Sequence, residues 1–227
     1  MGTLLSELAQ ARGDEVLGLF DKHALDGLKE LKAVPDVVLD FSHPDNQEWM
    51  LSYVKETGAA LVCGTTGLSE AQKDALRRLA QSNAVFYSAN FSYGIAVLAE
   101  VLRLAAPMLK DTFDMEVTET HHRQKVDAPS GTANMLVDVL DPAGEYVRVY
   151  GREGQTGARG REIGVHALRG GTVAGEHSIH FLGPEEELIL THRAESRAIF
   201  ANGALRAAAF VCGKPAGTYT MQDLIRA

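Results

Sequence analysis

The sequence predicts an α/β protein: a doubly wound parallel sheet that lacks its first strand, followed by a second α+β domain built on a mostly antiparallel sheet. Two observations predict it. In the first half, apolar runs of strand length alternate with helical segments, which calls for right-handed crossovers between parallel strands. In the second half, "FDMEVTETHH" (113–122) alternates apolar and polar residues at period two, and three further strand-like segments follow with only turn residues between them.

Taken in order, "GTLLSELAQAR" (2–12) carries Leu4, Leu5, Leu8 and Ala9 at helical spacing, and Gly13 ends it. "EVLGLFD" (15–21) reads as a buried strand stopping at Asp21, and "DVVLDFS" (36–42) as a second. Pro44 suits a first helical position, opening a helix through Trp49, Tyr53 and Val54. "AALVC" (59–63) is a third strand running into "GTTG" (64–67). Ser69 and Gln72 have capping-box spacing for a helix through Leu76 and Leu79. "AVFYS" (84–88) is a fourth strand, leading through "ANFSYG" (89–94) into a long apolar helix over 95–109. Beyond the alternating strand, "PSGTANMLVDVL" (129–140) is a helix, followed by a Gly- and Arg-rich loop over 151–162. "IGVHALRGG" (163–171), "EHSIHFLG" (176–183) and "ELILTHRAE" (187–195) read as an antiparallel meander. A helix over 198–213 is long enough to return to the first domain. The expected division is a nucleotide-binding domain of residues 1–92 completed by 204–227, with residues 93–203 forming a substrate-binding and oligomerisation domain.

At 227 residues and 45% hydrophobic content, the chain has ample material for packed cores. Lys and Arg number 22 against 30 Asp and Glu, so the formal charge of −8 argues against a nucleic acid or an anionic membrane as main partner. No apolar run approaches the roughly 18 residues of a membrane span. Cys63 and Cys212 lie far apart in apolar contexts, which suits a reducing, cytoplasmic setting.

Doubly wound sheets bind ligands beyond the carboxyl ends of their strands. Asp21, "FSHP" (41–44), "GTTG" (64–67) and "SANF" (88–91) therefore hold the interest in the first half. Asp21 occupies the place of an acid that accepts a ribose hydroxyl, although it also serves simply to end a strand. The strand and Gly-rich turn that open such sheets are absent, with Met1-Gly2 standing where the turn would end.

The stronger signal is "THHRQKVDAPSGTA" (120–133). Asp127 and Ser130 are natural helix caps, Pro129 fits a helix start, and the amides of Ser130, Gly131 and Thr132 make a site for a carboxylate or phosphate. His121 and His122 point to opposite faces if the strand continues through them, so their tasks should differ. An imidazole donates a proton near neutral pH, and Arg123 or Lys125 adds charge for an anionic substrate. Histidines 121, 122, 166 and 177 lack the spacing of common zinc sites, so no metal is expected. "APSGT" (128–132) lacks the first glycine of a nucleophile elbow, which leaves Ser130 as a cap.

"ETHHRQKVDAPSGTA" (119–133) closely resembles the signature of the dihydrodipicolinate reductase family, also called 4-hydroxy-tetrahydrodipicolinate reductase. "DFSHP" (40–44), "GTTG", "SANFSYG" (88–94), "EIGVHALRGG" (162–171), "THRAESR" (191–197) and "GKPAGTYTMQD" (213–223) resemble that family's landmarks, in its order. The resemblance implies a Rossmann-like fold and NADH- or NADPH-dependent reduction of a cyclic dicarboxylate on the diaminopimelate route to lysine. It implies His121 as proton donor assisted by Lys125, His122 in contact with substrate, and Gly131-Thr132 beside Ser130 holding a substrate carboxylate. Gly64, Thr65, Thr66, Ser88, Ala89, Asn90 and Phe91 would line the nicotinamide nucleotide. Asp21 would meet the adenosine ribose, and Lys22 a 2′-phosphate. A cytoplasmic homotetramer joined through the second domain's sheets is implied as well. The departure is the missing "G-x-x-G-x-M-G" turn, which suggests a start assigned at an internal methionine, or a truncated product that keeps the fold as a cofactor-deficient binding or structural protein.

Overall fold

A computed structural model describes residues 1–21 and 25–227, with the backbone alone at 25, 26 and 29. The chain forms two compact units, Met1–Tyr93 with Ala198–Ala227, and Gly94–Arg197.

The first unit is a four-stranded parallel sheet in the order β1-β2-β3-β9, with β1 Val37–Asp40, β2 Ala60–Cys63, β3 Ala84–Tyr87 and β9 Gly217–Tyr219. Helix α1 (Gly2–Ala11) precedes the sheet, α2 (Gln47–Thr57) links β1 to β2, and α3 (Glu70–Leu79) links β2 to β3. Pro44 opens a short 3₁₀ turn ahead of α2, capped by the His43 side chain. The predicted capping box at α3 forms, with Ser69 Oγ accepting from the Gln72 amide and Gln72 Oε1 from the Ser69 amide. All four β2 residues are buried, as a central strand covered on both faces requires. Helix α6 (Ala198–Val211) packs on β1, β2, β3 and α1, and α7 (Met221–Ile225) ends the chain.

One element departs from expectation. Residues 15–21 form no strand, and Leu19 is 57% exposed. An apolar run records a preference for burial, but a strand exists only where a neighbouring edge completes its ladder. No strand among the described residues pairs with this segment; Asp21 ends no strand and is exposed.

The second unit holds a five-stranded sheet in the order β5-β6-β4-β7-β8. Its strands are β4 (Asp114–His121), β5 (Val147–Val149), β6 (Glu162–Arg169), β7 (Gly175–Gly183) and β8 (Glu186–Ala194). The sheet is mixed: β7 and β8 form the expected antiparallel hairpin, but β4 inserts between β6 and β7, antiparallel to β7 and parallel to β6. Helices α4 (Tyr93–Leu109) and α5 (Gly131–Leu140) cover one face, where Leu98, Leu102 and Leu136 pack on Met115, Val117, Ile163, Val165, Ile179 and Phe181.

Candidate active site

The alternation along β4 builds the site. Met115, Val117, Glu119 and His121 share the helix-covered face, since every second residue of a strand points the same way. The first two complete the apolar core; at the carboxyl end of the strand the same face turns polar. Glu119 is cross-strand neighbour to Ala167 and His177, and His121 to Arg169.

Glu119 is the hub, with a fully buried side chain. It takes a bidentate pair from the Arg169 guanidinium at 2.7 and 2.8 Å, the Ser130 amide at 2.9 Å, and His121 Nδ1 at 2.6 Å. Burial works to raise its carboxyl, but the bonds from Arg169, His121 and the Ser130 amide prevail and hold it below the ordinary value. Arg169 also donates to the Asp127 carbonyl, tying the loop before α5 to the end of β6.

Ser130 is the N-cap of α5, its hydroxyl accepting from the Ala133 amide at 3.1 Å and lying 3.0 Å from His177 Nε2. Two sequence expectations need correction here. The Ser130 amide is not available to a ligand, because Glu119 occupies it. Asp127 caps nothing: Gly131 begins the helix, Pro129 precedes the cap, and the Asp127 carboxylate instead pairs with Lys125 at 2.8 Å. That bond from Lys125 lowers the Asp127 carboxyl. Gly131, at the first helical position, is exposed at the helix entrance.

His121 ends the strand, and its ring stands edge-on to His177 at 5.1 Å between centroids. A side chain at Gly175 would put its Cβ 3.0 Å from His121 Nε2, so glycine leaves that side of the ring open. Burial lowers His177 to about 4, with His121 adding to the effect. His122 has left the strand; its amide donates to the Val173 carbonyl, and its Nδ1 is buried with no partner among the described residues.

In the first unit residues 64–66 and 88–91 lie at the carboxyl ends of β2 and β3, and Asp21 does not follow either strand. Gly64 lets the Phe41 ring lie close, since a Cβ would lie 2.2 Å from it. Thr65 is buried, its hydroxyl donating to Asp40 Oδ2 at 2.9 Å and accepting from the Ser42 amide at 3.1 Å, while Thr66 is exposed. Ser88 Oγ donates to the Asn90 carbonyl at 2.6 Å, and the Asn90 side chain accepts from the Ser92 amide. Ala89 is exposed; Phe91 is buried against Phe41 and Phe86. Lys22 lies outside the described residues.

Sequence reasoning missed Asp40, Glu119 and Arg169, and weighed His177 only as a metal ligand. Asp40, buried at the end of β1, ties β1 to the "GTTG" turn by accepting from both Ser42 and Thr65. It stands close to the Cys63 thiol, which burial first, and then that carboxylate, push up to about 12. Glu119 carried a signal, lying two residues before a histidine on an alternating strand. Arg169 and His177 carried none, since strand register alone brings them to Glu119.

Fold and site together define a protein of the doubly wound α/β class whose second unit carries a buried carboxylate–imidazole–guanidinium cluster. The solved structure titled "Dipicolinate bound Dihydrodipicolinate reductase from Paenisporosarcina sp. TG-14" shares this fold at a TM-score of 0.71 and 23% identity, covering 95% of this chain and 83% of that one. The family model "Dihydrodipicolinate reductase, N-terminus" matches residues 4–91, and "Dihydrodipicolinate reductase, C-terminus" matches residues 94–225. The chain is 48% identical over 195 residues to the 4-hydroxy-tetrahydrodipicolinate reductase of Acinetobacter baumannii strain AYE, covering 84% of this chain and 71% of the relative. It is 39% identical over 227 residues to that of Psychrobacter arcticus, covering 97% and 82%. The chain belongs to the dihydrodipicolinate reductase family, and is an oxidoreductase.

Proposed function

We propose that this protein reduces 4-hydroxy-tetrahydrodipicolinate to tetrahydrodipicolinate on the diaminopimelate route to lysine, in the cytoplasm, with NADH or NADPH as reductant. One observation carries the site assignment: Glu119 binds both the His121 ring and the amide at the entrance of α5, fixing a proton donor beside a helix N-terminus suited to a substrate carboxylate. His121 supplies the proton. Gly131 and Thr132 at the helix entrance receive a carboxylate, with Ser130 fixing that entrance as its cap. His122 contacts substrate, and Lys125 turns from its ion pair with Asp127 to assist.

The residues of the first unit suit a nicotinamide nucleotide, because their glycine, small side chains and hydroxyls lie at the carboxyl ends of parallel strands. Such a nucleotide supplies a hydride when bound. Gly64, Thr66, Ser88, Ala89 and Asn90 face it, while Thr65 and Phe91 hold their loops in shape from beneath. Asp21 and Lys22 are assigned to the adenosine end. The assembly is a homotetramer joined through the second unit's sheet, whose face bearing Leu168, Leu182 and Ile189 carries no helix among the described residues.

His121→Gln should lower kcat by about 10²–10⁴-fold, the scale of general acid catalysis, and leave the affinity for NADH and NADPH, read by titration, unchanged. Normal turnover in that variant would sink the donor role, and binding of neither nucleotide by the parent chain would sink the reductase reading.

A further inference from the structure

We propose that Glu119 is the positioning residue for His121: it takes the Nδ1 proton in a fixed hydrogen bond and leaves Nε2 as the ring atom that delivers a proton to substrate. The inference rests on the donor role proposed for His121 and adds which nitrogen acts and what decides it.

The geometry is built for one orientation. Glu119 has three other donors, two from Arg169 and one from the Ser130 amide, so its carboxylate cannot swing away from the ring. An isolated buried carboxylate would be costly, and Arg169 offsets its charge without reaching the imidazole itself. With one nitrogen on Glu119 at 2.6 Å, the imidazole has only Nε2 left for the reaction. That atom faces Gly175, where the missing Cβ keeps the space beside it clear. His177 braces the ring edge-on and is itself held at Nε2 by the Ser130 hydroxyl, so carboxylate, ring and helix cap form one connected network. Because burial favours the neutral form of His177, it adds no competing charge when His121 carries its proton.

The step balances simply. The Nε2–H bond of the imidazolium breaks and its proton passes to the substrate. The neutral ring that remains is the Nδ1–H tautomer already bonded to Glu119, and water returns a proton to Nε2 for the next turnover. No heavy atom of the protein has to move, which is the advantage of an oriented acid.

The test reads the tautomer directly. In the protein with ¹⁵N-labelled histidine, the His121 ring signals are assigned by their loss in His121→Gln, then recorded at a pH where the ring is neutral. The expected result is the Nδ1–H tautomer in the parent protein and a mixed or reversed tautomer in Glu119→Gln. The same variant should lose between about 10- and 10⁴-fold in kcat, the upper end being the scale for removing the carboxylate that orients a catalytic histidine. KM should change far less, and Glu119→Asp should recover part of the loss. Should Glu119→Gln fail to fold with the Arg169 charge unpaired, the double variant Glu119→Gln/Arg169→Gln removes both charges and is read the same way. An Nε2–H tautomer in the parent protein, or an unchanged tautomer with kcat within about threefold in the variant, overturns the proposal. Normal turnover in His121→Gln instead overturns the donor role on which it rests, whichever tautomer the parent ring shows.

Discussion

Glu116 and Glu119 lie three residues apart on β4 and so on opposite faces of the sheet, and each meets its own arginines. Burial disfavours the charged form of Glu116, but hydrogen bonds from Arg152 and His166 and the charge of Arg159 overcome it and bring the carboxyl down to about 2. His177 moves for a different reason: burial first, and then the neighbouring His121, deny it a proton until about pH 4. Both shifts act on stability with one sign. The folded state binds fewer protons than the unfolded chain between the ordinary 6.5 of a histidine and about 4, and again between the ordinary 4.5 of a glutamate and about 2. Stability is therefore full above about pH 6.5, declines first through the His177 window, and declines further through the Glu116 window. Urea unfolding midpoints at pH 7, 5 and 3 should fall in that order. A midpoint unchanged between pH 7 and 5 would remove His177 from this account.

Among the elements, α6 approaches the loop after β3 closely. Its Gly203 faces the Phe91 backbone so closely that a Cβ would lie 1.7 Å from the Phe91 carbonyl oxygen. Alanine at this mid-helix position gains up to about 1 kcal/mol of helix propensity. Against that stands the displacement of either α6 or the loop after β3, a form of overpacking that costs about 1–3 kcal/mol. The clash involves backbone with no flexible side chain to yield, so it should win. Gly203→Ala is expected to be destabilised in chemical denaturation and to bind NADH and NADPH more weakly, because Phe91 belongs to the loop assigned to the nucleotide. Parent-like stability and affinity would show that the loop can shift without consequence.

For the whole molecule, the second unit's open sheet face is where the proposed assembly is tested. Ile189 is 46% exposed there, on the edge strand β8, and an edge strand invites pairing with another chain. Light scattering should give a mass four times that of the chain, and Ile189→Asp should lower it with little change in far-UV circular dichroism. A monomeric parent protein would refute the tetramer. Much of this fold was legible in the residues: period two along β4, helical spacing in α1, apolar runs of helix length at α4 and α6, and the Ser69–Gln72 and Ser130 caps are local signals, and each formed where its pattern lay. Residues 15–21 were not legible, since apolar character does not say whether an edge is there to pair with. By itself the sequence determined the alternation of elements, the family, and the histidine, lysine and helix cap at the end of β4. Only the tertiary structure decided that β4 lies between β6 and β7, and with it which groups surround Glu119. Arg169 and His177 are 50 and 58 residues from Glu119 along the chain, and strand register brings both to one carboxylate. Register follows from which faces can be buried together, a property of the packed sheet that no single segment carries.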